Sequence, residues 1–205
     1  MAAPVEVIDV TNEERNRWDD RYRARTRGDR SPGDPSPILE AAVDGHPPGR
    51  ALDVATGGGR NARYLAAHGW TVDGLDISRI VLERARARAR ADGVSANWIL
   101  ADADRYGFPP TMYDLVTISF FDARRSLPEI LEALTPGGIL VYEHYVVSGD
   151  SGDSSASTSG PGDRYRFQPG ELLERCRSHG IRIQIYDEYE RRDETRVILV
   201  GRRSG

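Results

Sequence analysis

From residue 50 onward the chain alternates short apolar runs with helix-patterned stretches, and this alternation constrains the fold more than any other feature. ALDVA (51–55) predicts a buried strand and RNARYLAAHG (60–69) a helix stopped by glycine. TVDGLDI (71–77) predicts a strand, and SRIVLERARARARADG (78–93) a helix capped by Ser78 and ended by Gly93. NWILA (97–101) and DLVTISFF (114–121) follow as strands, with DADRYGFPP between them as loop. Leu127 to Leu134 predicts a helix ended by TPGG, and ILVYEHYVV (139–147) a strand. Repeated β-then-α units require a parallel sheet with helices on both faces and right-handed crossovers. The expected fold is therefore an α/β, Rossmann-like three-layer sandwich. The end of the chain breaks the pattern. After a helix at PGELLERCRSHG (169–180), IRIQIYDEYE and TRVILVGRR are separated only by RRDE. That is hairpin spacing, so the last two strands should be antiparallel in a mostly parallel sheet.

The flanks are less regular. Residues 11–27 read as a polar surface helix carrying Trp18 and Tyr22, SPGDPSP (31–37) as a turn-rich joint, and Ile38 to Val43 as a short helix. SGDSGDSSASTSGPGD (148–163) is low-complexity, has nothing to bury and is expected to be flexible. A length of 205 residues fits one domain spanning 1–205. No run approaches the roughly 20 apolar residues that span a bilayer, and the first residues lack a basic segment leading into an apolar one. A cytoplasmic location without membrane association is the expectation. Cys176 is the only cysteine, which excludes an internal disulfide and a cysteine-based metal cluster, and no metal is expected. The formal net charge of −4 argues against nucleic acid as partner. Every basic residue is arginine, and Arg84, Arg86, Arg88 and Arg90 read as a solvated helix face with their stems over the core.

In such a sheet, ligands sit beyond the carboxyl ends of the strands, where strand order reverses. DVATGGGR (53–60) places glycines between the first strand and a helix. Glycine there permits positive φ and lets a ligand approach the main chain. Gly57-x-Gly59-x-x-Ala62 satisfies the dinucleotide pattern G-x-G-x-x-G/A. Asp53 argues for a different guest, because a carboxylate at the strand end repels phosphates and attracts a cation. S-adenosylmethionine lacks phosphate and carries an ammonium and a sulfonium. Asp76, at the end of the next strand, could accept both ribose hydroxyls and would repel a 2′-phosphate. Asp102, after the third strand, could accept from an adenine amino group while the Ala103 amide reaches a ring nitrogen. Each acid also has a plain alternative: Asp53 as a cap of the following turn, Asp76 as a helix cap, Asp102 as a turn residue. Their common register at three strand ends favours a shared site.

These residues resemble those of class I S-adenosylmethionine-dependent methyltransferases. LDVATGGGR resembles the first motif of that family, with Ala55 where glycine is usual; GLDIS resembles the second, ILADAD the third, DLVTISF the fourth, and LTPGGILVYEHY the segment that follows. The resemblance implies a seven-stranded sheet in the order 3-2-1-4-5-7-6. It also implies cofactor contacts from Ala55, Gly57, Gly59, Arg60, Asn61, Ile77, Ala103 and Ser119, beside Asp53, Asp76 and Asp102. WDDRYRA, GRNARYLAAHGW and YRFQPGELLE further resemble the bacterial tellurite-resistance and thiopurine-type methyltransferases. In that group the N-terminal segment folds over the cofactor. Residues 1–45 are then expected to form a helical lid, with Trp18 and Tyr22 either closing the site or packing on the core.

Methyl transfer is an in-line displacement, so alignment and exclusion of water dominate; orientation alone supplies on the order of 7–11 kcal/mol. A thiol or chalcogen acceptor needs little base assistance, whereas an oxygen or nitrogen acceptor can need one. Candidates at the outer ends of strands four and five are Ser119, Asp122 and Arg124, then Glu143, His144 and Tyr145. His144 is the base candidate by type and place, with a buried structural role as its alternative. Arg124 could hold an anionic acceptor or cap a helix. No Asn-Pro-Pro-Tyr or Asp-Pro-Pro-Tyr signature follows strand four, which lowers nucleic acid as a substrate. The expected activity is methyl transfer from S-adenosylmethionine to a small-molecule nucleophile, leaving S-adenosylhomocysteine, by a monomer or homodimer. A catalytically silent cofactor-binding module, an NAD-dependent oxidoreductase, and a protein or RNA methyltransferase are the rival readings.

Overall fold

The computed structural model describes residues 12–24, 33–147, 163–191 and 194–205. Most of the stretch expected to be flexible, at 148–162, therefore falls outside the described residues, as do the first 11 residues and 25–32 of the expected lid. The described chain runs α1 (Asn12–Ala24), α2 (Pro37–Val43), β1 (Arg50–Val54), α3 (Arg60–Ala67), β2 (Thr71–Asp76), α4 (Arg79–Ala91) and β3 (Asn97–Leu100). It continues as β4 (Tyr113–Ser119), α5 (Leu127–Glu132), β5 (Leu134–Tyr145), a 3-10 turn (Asp163–Tyr165), α6 (Glu171–Ser178), β6 (Ile181–Arg191) and β7 (Glu194–Arg203).

The seven strands form one sheet in the order β3-β2-β1-β4-β5-β7-β6. The pairs from β3 to β5 are parallel, and β7 is antiparallel to both β5 and β6. The sheet is the expected Rossmann-like one, hairpin included. Alternation along each strand divides the core. Ala51, Val72, Leu115, Ile139 and Val141 face Leu39, Val43, Ala62 and Leu65 of α2 and α3. Leu52, Val54, Val116, Ile118, Leu140 and Tyr142 face Leu127, Ile130, Leu172 and Cys176 of α5 and α6. Strands apolar on both faces are what a sheet covered by helices on both sides demands. Cys176 is fully buried there and its thiol is pushed up to about 12 by burial, so it packs as a small hydrophobe.

Two local departures have clear causes. β5 starts at Leu134, earlier than its apolar run, because Leu134 pairs with Tyr113 before the register slips and Ile139 pairs with Leu115. The TPGG turn is thus a bulge within the strand, with Gly137 at φ +80°. β4 ends at Ser119, since Phe120 turns to φ +55°. Beneath the opposite, amino-terminal end of the sheet, buried Asp73 accepts from Arg50 Nη2 (2.8 Å), Asn97 Nδ2 (2.7 Å) and the Tyr113 hydroxyl (3.0 Å), clamping β1 to β4. α1 packs on α4. Ser78 Oγ caps α4 by accepting from Val81 N (3.3 Å) and donates to buried Asp19 of α1 (2.5 Å), while Arg84 Nη1 donates to the Tyr22 carbonyl (2.9 Å). Of the arginine row on α4, Arg86 and Arg90 lie in solvent while Val81, Leu82, Ala85 and Ala89 are buried. Among the described residues no helix is long and apolar enough to cross a membrane.

Candidate active site

Strand order reverses between β1 and β4, and the carboxyl ends of β1 and β2 open there. From Val54 the chain turns through Ala55, Thr56 and three glycines into α3. Ala55, Gly57 and Gly59 all lie at positive φ, +53°, +54° and +74°. The Thr56 amide donates to the Leu75 carbonyl (2.9 Å) and the Gly59 amide to the Thr56 carbonyl (2.9 Å), so the turn is fastened to β2 and to itself. A Cβ on Gly59 would come within 2.8 Å of the Trp98 ring and 3.1 Å of the Ala85 Cβ. Glycine is thus demanded there by backbone angle and by space. A Cβ on Gly57 would first meet the Tyr22 hydroxyl, at 3.6 Å. The α1 residue named from the sequence therefore stands over the turn, with Trp18 6.0 Å from it ring to ring.

Two acids, Asp53 and Asp76, meet this turn, and a third, Asp102, follows the adjoining strand. Asp53 is buried and accepts from the Thr56 hydroxyl at 2.5 Å. Burial pushes its carboxyl up to about 7, against the pull of the Thr56 hydroxyl and the Arg60 charge; the nearby Asp76 adds to the rise. Asp76 accepts from the Gly57 amide (2.9 Å) with one oxygen and from the Ser78 amide (2.9 Å) with the other. Burial pushes it up to about 6, these amides opposing. Asp102 follows β3, whose Ala101 amide donates to the Asp76 carbonyl (3.1 Å); its side chain accepts from the Asp104 amide (3.0 Å). Ala103 beside it is buried, and Ile77 lies half-buried next to Asp76.

On the β4 side a hydrogen-bonded chain closes the hollow. Arg60 Nη2 donates to Glu143 Oε1 (2.6 Å), the Ser119 hydroxyl donates to the same oxygen (2.8 Å), and Asn61 Nδ2 donates to Ser119 Oγ (3.0 Å). Asn61 Oδ1 accepts in turn from the Ser36 amide (3.0 Å) before α2. Arg60, Asn61 and Ser119, expected from the sequence, are thus brought together with Asp53 and Asp76. Glu143 joins them although it was only one of three candidates on its strand. Strand register puts it there: Glu143 is the partner of Ser119 and shares a face with Val141.

His144, one residue on, faces the other side of the sheet. It is buried between Tyr142 and Phe167 (ring centroids 6.3 and 5.2 Å), and its Nδ1 accepts from the Tyr145 amide (2.7 Å). Burial lowers it to about 4, so it is neutral at pH 7. Arg124 sits on that same side. It donates to Asp122 (2.7 Å), to Glu171 (2.7 and 3.0 Å) and to the Arg166 carbonyl (2.5 Å), with its guanidinium 4.3 Å from the Phe167 centroid. Glu171 is held down to about 2, chiefly by this arginine. The clamp fixes α6 and the 163–167 segment against the loop after β4.

The raised carboxyls give a prediction for the ligand-free protein. An unfolded aspartate loses its proton near pH 4, whereas Asp53 keeps its proton to about 7. Between those values the folded state binds more protons, so the contribution of Asp53 to stability is full below pH 4 and falls as pH rises toward 7. Denaturant unfolding of wild type and Asp53→Asn at pH 4.5, 6 and 7.5 should show the wild type losing on the order of 2–4 kcal/mol relative to the variant over that range. A difference that is flat with pH would contradict a desolvated carboxyl at this position.

Residues 51–138 match the family model described as a methyltransferase domain. Residues of this chain are 40% identical over 101 positions to a demethylmenaquinone methyltransferase of Thermus thermophilus, covering 46% of this chain and 46% of that protein. The chain spans less than half the length of this and two other demethylmenaquinone methyltransferases that it matches. Among solved structures, magnesium protoporphyrin IX methyltransferase from Synechocystis, determined with bound S-adenosylhomocysteine, superimposes with a TM-score of 0.71 at 17% identity, over 94% of this chain and 98% of that one. A structure reported for the conversion of a disulfide bond into a thioacetal group during echinomycin biosynthesis gives 0.72 at 24% identity, over 93% of each chain. At these identities the structural likenesses speak for the fold alone.

Proposed function

We infer, from the match of residues 51–138 to a methyltransferase-domain family model, that this chain is a class I S-adenosylmethionine-dependent methyltransferase. The observation that carries the reading is the clustering of Asp53 and Asp76 around the positive-φ glycine turn, with Asp102 at the adjoining strand end.

The residues fit an adenosine-bearing cation. Two carboxyls of raised affinity for protons in a desolvated hollow are equally poised to gain from a cationic partner, which restores their ionised form. Gly57 leaves the main chain open toward Tyr22. In this reading Asp53 and the turn amides hold the amino-acid end, Asp76 accepts from the ribose hydroxyls, and Asp102 with the Ala103 amide receives the adenine. Ile77 packs on the adenosine, and Arg60, Asn61 and Ser119 line the methionine end. When bound, S-adenosylmethionine supplies an electrophilic methyl group on its sulfonium. The protein orients it, excludes water with α1, whose Tyr22 stands over Gly57, and leaves S-adenosylhomocysteine. Glu143, fixed by Arg60 and Ser119, stands nearer to that hollow than His144 and replaces it as the group able to receive an acceptor proton.

The acceptor is a small molecule, as the names of the demethylmenaquinone and protoporphyrin enzymes suggest for those proteins. The tellurite-resistance and thiopurine-type likeness adds soft thiol or chalcogen nucleophiles to the acceptors worth testing. One domain, a cytoplasmic location and a monomer or homodimer complete the proposal. Titration calorimetry should show 1:1 binding of S-adenosylhomocysteine and no heat with NAD. Binding of NAD without S-adenosylhomocysteine would replace this reading with an oxidoreductase.

A further inference from the structure

Beyond Ser119 the sheet carries a second group of side chains that the cofactor hollow does not use. Phe120 holds φ +55°, a left-handed conformation that a bulky residue adopts at a cost of about 1–2 kcal/mol. Its amide is fixed there by the Glu143 carbonyl (2.9 Å), so the strained residue is tied to the strand that bears Glu143. The strain turns the Phe120 ring onto Tyr145, with centroids 4.8 Å apart and planes 37° apart. Arg196, the register partner of Tyr145 on β7, lays its guanidinium 5.3 Å from the centroids of both rings. Phe120 and Tyr145 are each only half-buried, and the Arg196 side chain is 19% exposed.

Arg196 is held on one side only. Its Nη2 meets Glu194 at 3.1 Å, while its buried Nε–H has no acceptor among the described residues. Leaving a buried donor on a charged group unmatched costs more than a typical hydrogen bond returns. The arrangement is a shelf made of two aromatic rings with a planar cation against them, beginning one residue past Ser119. A flat ring can stack on such rings, and a guanidinium offers paired N–H donors suited to a planar oxyanion.

We propose that this shelf seats the methyl acceptor, and that the acceptor is a planar aromatic acid, its ring on Phe120 and Tyr145 and its carboxylate or equivalent anion on Arg196. The proposal rests on the methyltransferase reading and deepens it. Arg196 is a specificity-determining residue in it, and takes no part in holding the donor. An aliphatic anion finds no use for the two rings, and a neutral aromatic offers the Nε–H of Arg196 no anion.

The experiment uses the full chain saturated with S-adenosylhomocysteine and three probes: 2-naphthoate, 2-naphthamide, and decahydronaphthalene-2-carboxylate. Affinity is read by titration calorimetry. 2-Naphthoate should bind at least about 10-fold tighter than either other probe, since one well-placed charge contact is worth a factor of that order. Arg196→Gln should remove the preference for naphthoate over naphthamide, and Arg196→Lys should retain part of it. Both variants should keep the wild-type affinity for S-adenosylhomocysteine, which shows that they are folded. Naphthoate and naphthamide binding equally to the wild type, no binding of naphthoate, or an unchanged preference in Arg196→Gln would each overturn the proposal. Failure of S-adenosylhomocysteine itself to bind the wild type would instead remove the methyltransferase reading on which it stands.

Discussion

Asp76→Ala should cost the protein both ligand affinity and stability. In the folded chain this carboxylate receives two amides, Gly57 N and Ser78 N, each at 2.9 Å, and it is almost completely buried. Alanine leaves both amides without an acceptor, at about 1–3 kcal/mol each. A loss of about 2–6 kcal/mol corresponds to a fall in Tm of roughly 4–24 °C for a chain of this size. If the same carboxylate also receives the ribose hydroxyls, the affinity for S-adenosylhomocysteine should drop about 100-fold or more, two charge-assisted hydrogen bonds being lost. Asp76→Asn separates the two effects. It keeps the size and one acceptor oxygen, so stability should recover more than affinity does. An Asp76→Ala protein that binds S-adenosylhomocysteine within about 3-fold of wild type would remove Asp76 from the site.

Gly59→Ala is the second large effect, and Gly57→Ala is its internal control. Both glycines have positive φ, so either substitution carries a backbone penalty of about 1 kcal/mol. Their surroundings differ. At Gly59 a methyl group would press on the Trp98 ring at 2.8 Å and on Ala85 at 3.1 Å, whereas at Gly57 the nearest atom is the Tyr22 hydroxyl at 3.6 Å. Trp98 lies on β3 and Ala85 in α4, so relief at Gly59 requires moving a strand or a helix. Overpacking of that kind adds about 1–3 kcal/mol. Thermal unfolding should therefore place Gly59→Ala well below Gly57→Ala. Gly57→Ala, being nearer to normal stability, should act mainly on cofactor affinity, because its methyl group stands between the turn and Tyr22. Equal Tm values for the two variants would mean that Trp98 is not packed against the turn.

These outcomes bear on how much the residue string reveals. The carboxyl end of β1, the glycine turn and the acids at 53, 76 and 102 were legible because each lies at or just past the end of an apolar run whose length fixes where a parallel strand ends. The antiparallel hairpin was legible from spacing, since RRDE is too short for any crossover. The choice between Glu143 and His144 was not. They are adjacent, both are polar in an apolar strand, and a one-residue shift in register exchanges their faces. The bulge at TPGG sets that register: Leu134 pairs with Tyr113, but Ile139 pairs with Leu115. Arg124 illustrates the same limit. Its place after strand four suggested an anionic acceptor, yet Glu171, 47 positions along the chain, takes its guanidinium. Asp19 was invisible for a like reason, because its partner Ser78 is 59 positions away.

The residue order by itself determined the layered sheet, its hairpin edge and the strand ends at which acids and glycines gather, because local apolar period and turn length decide those. The folded chain alone decided which neighbour on β5 faces the hollow, which arginine is already occupied, and that Phe120, Tyr145 and Arg196 form one shelf. Those are contacts between segments distant in sequence, and they depend on strand register and helix docking, which no local pattern encodes.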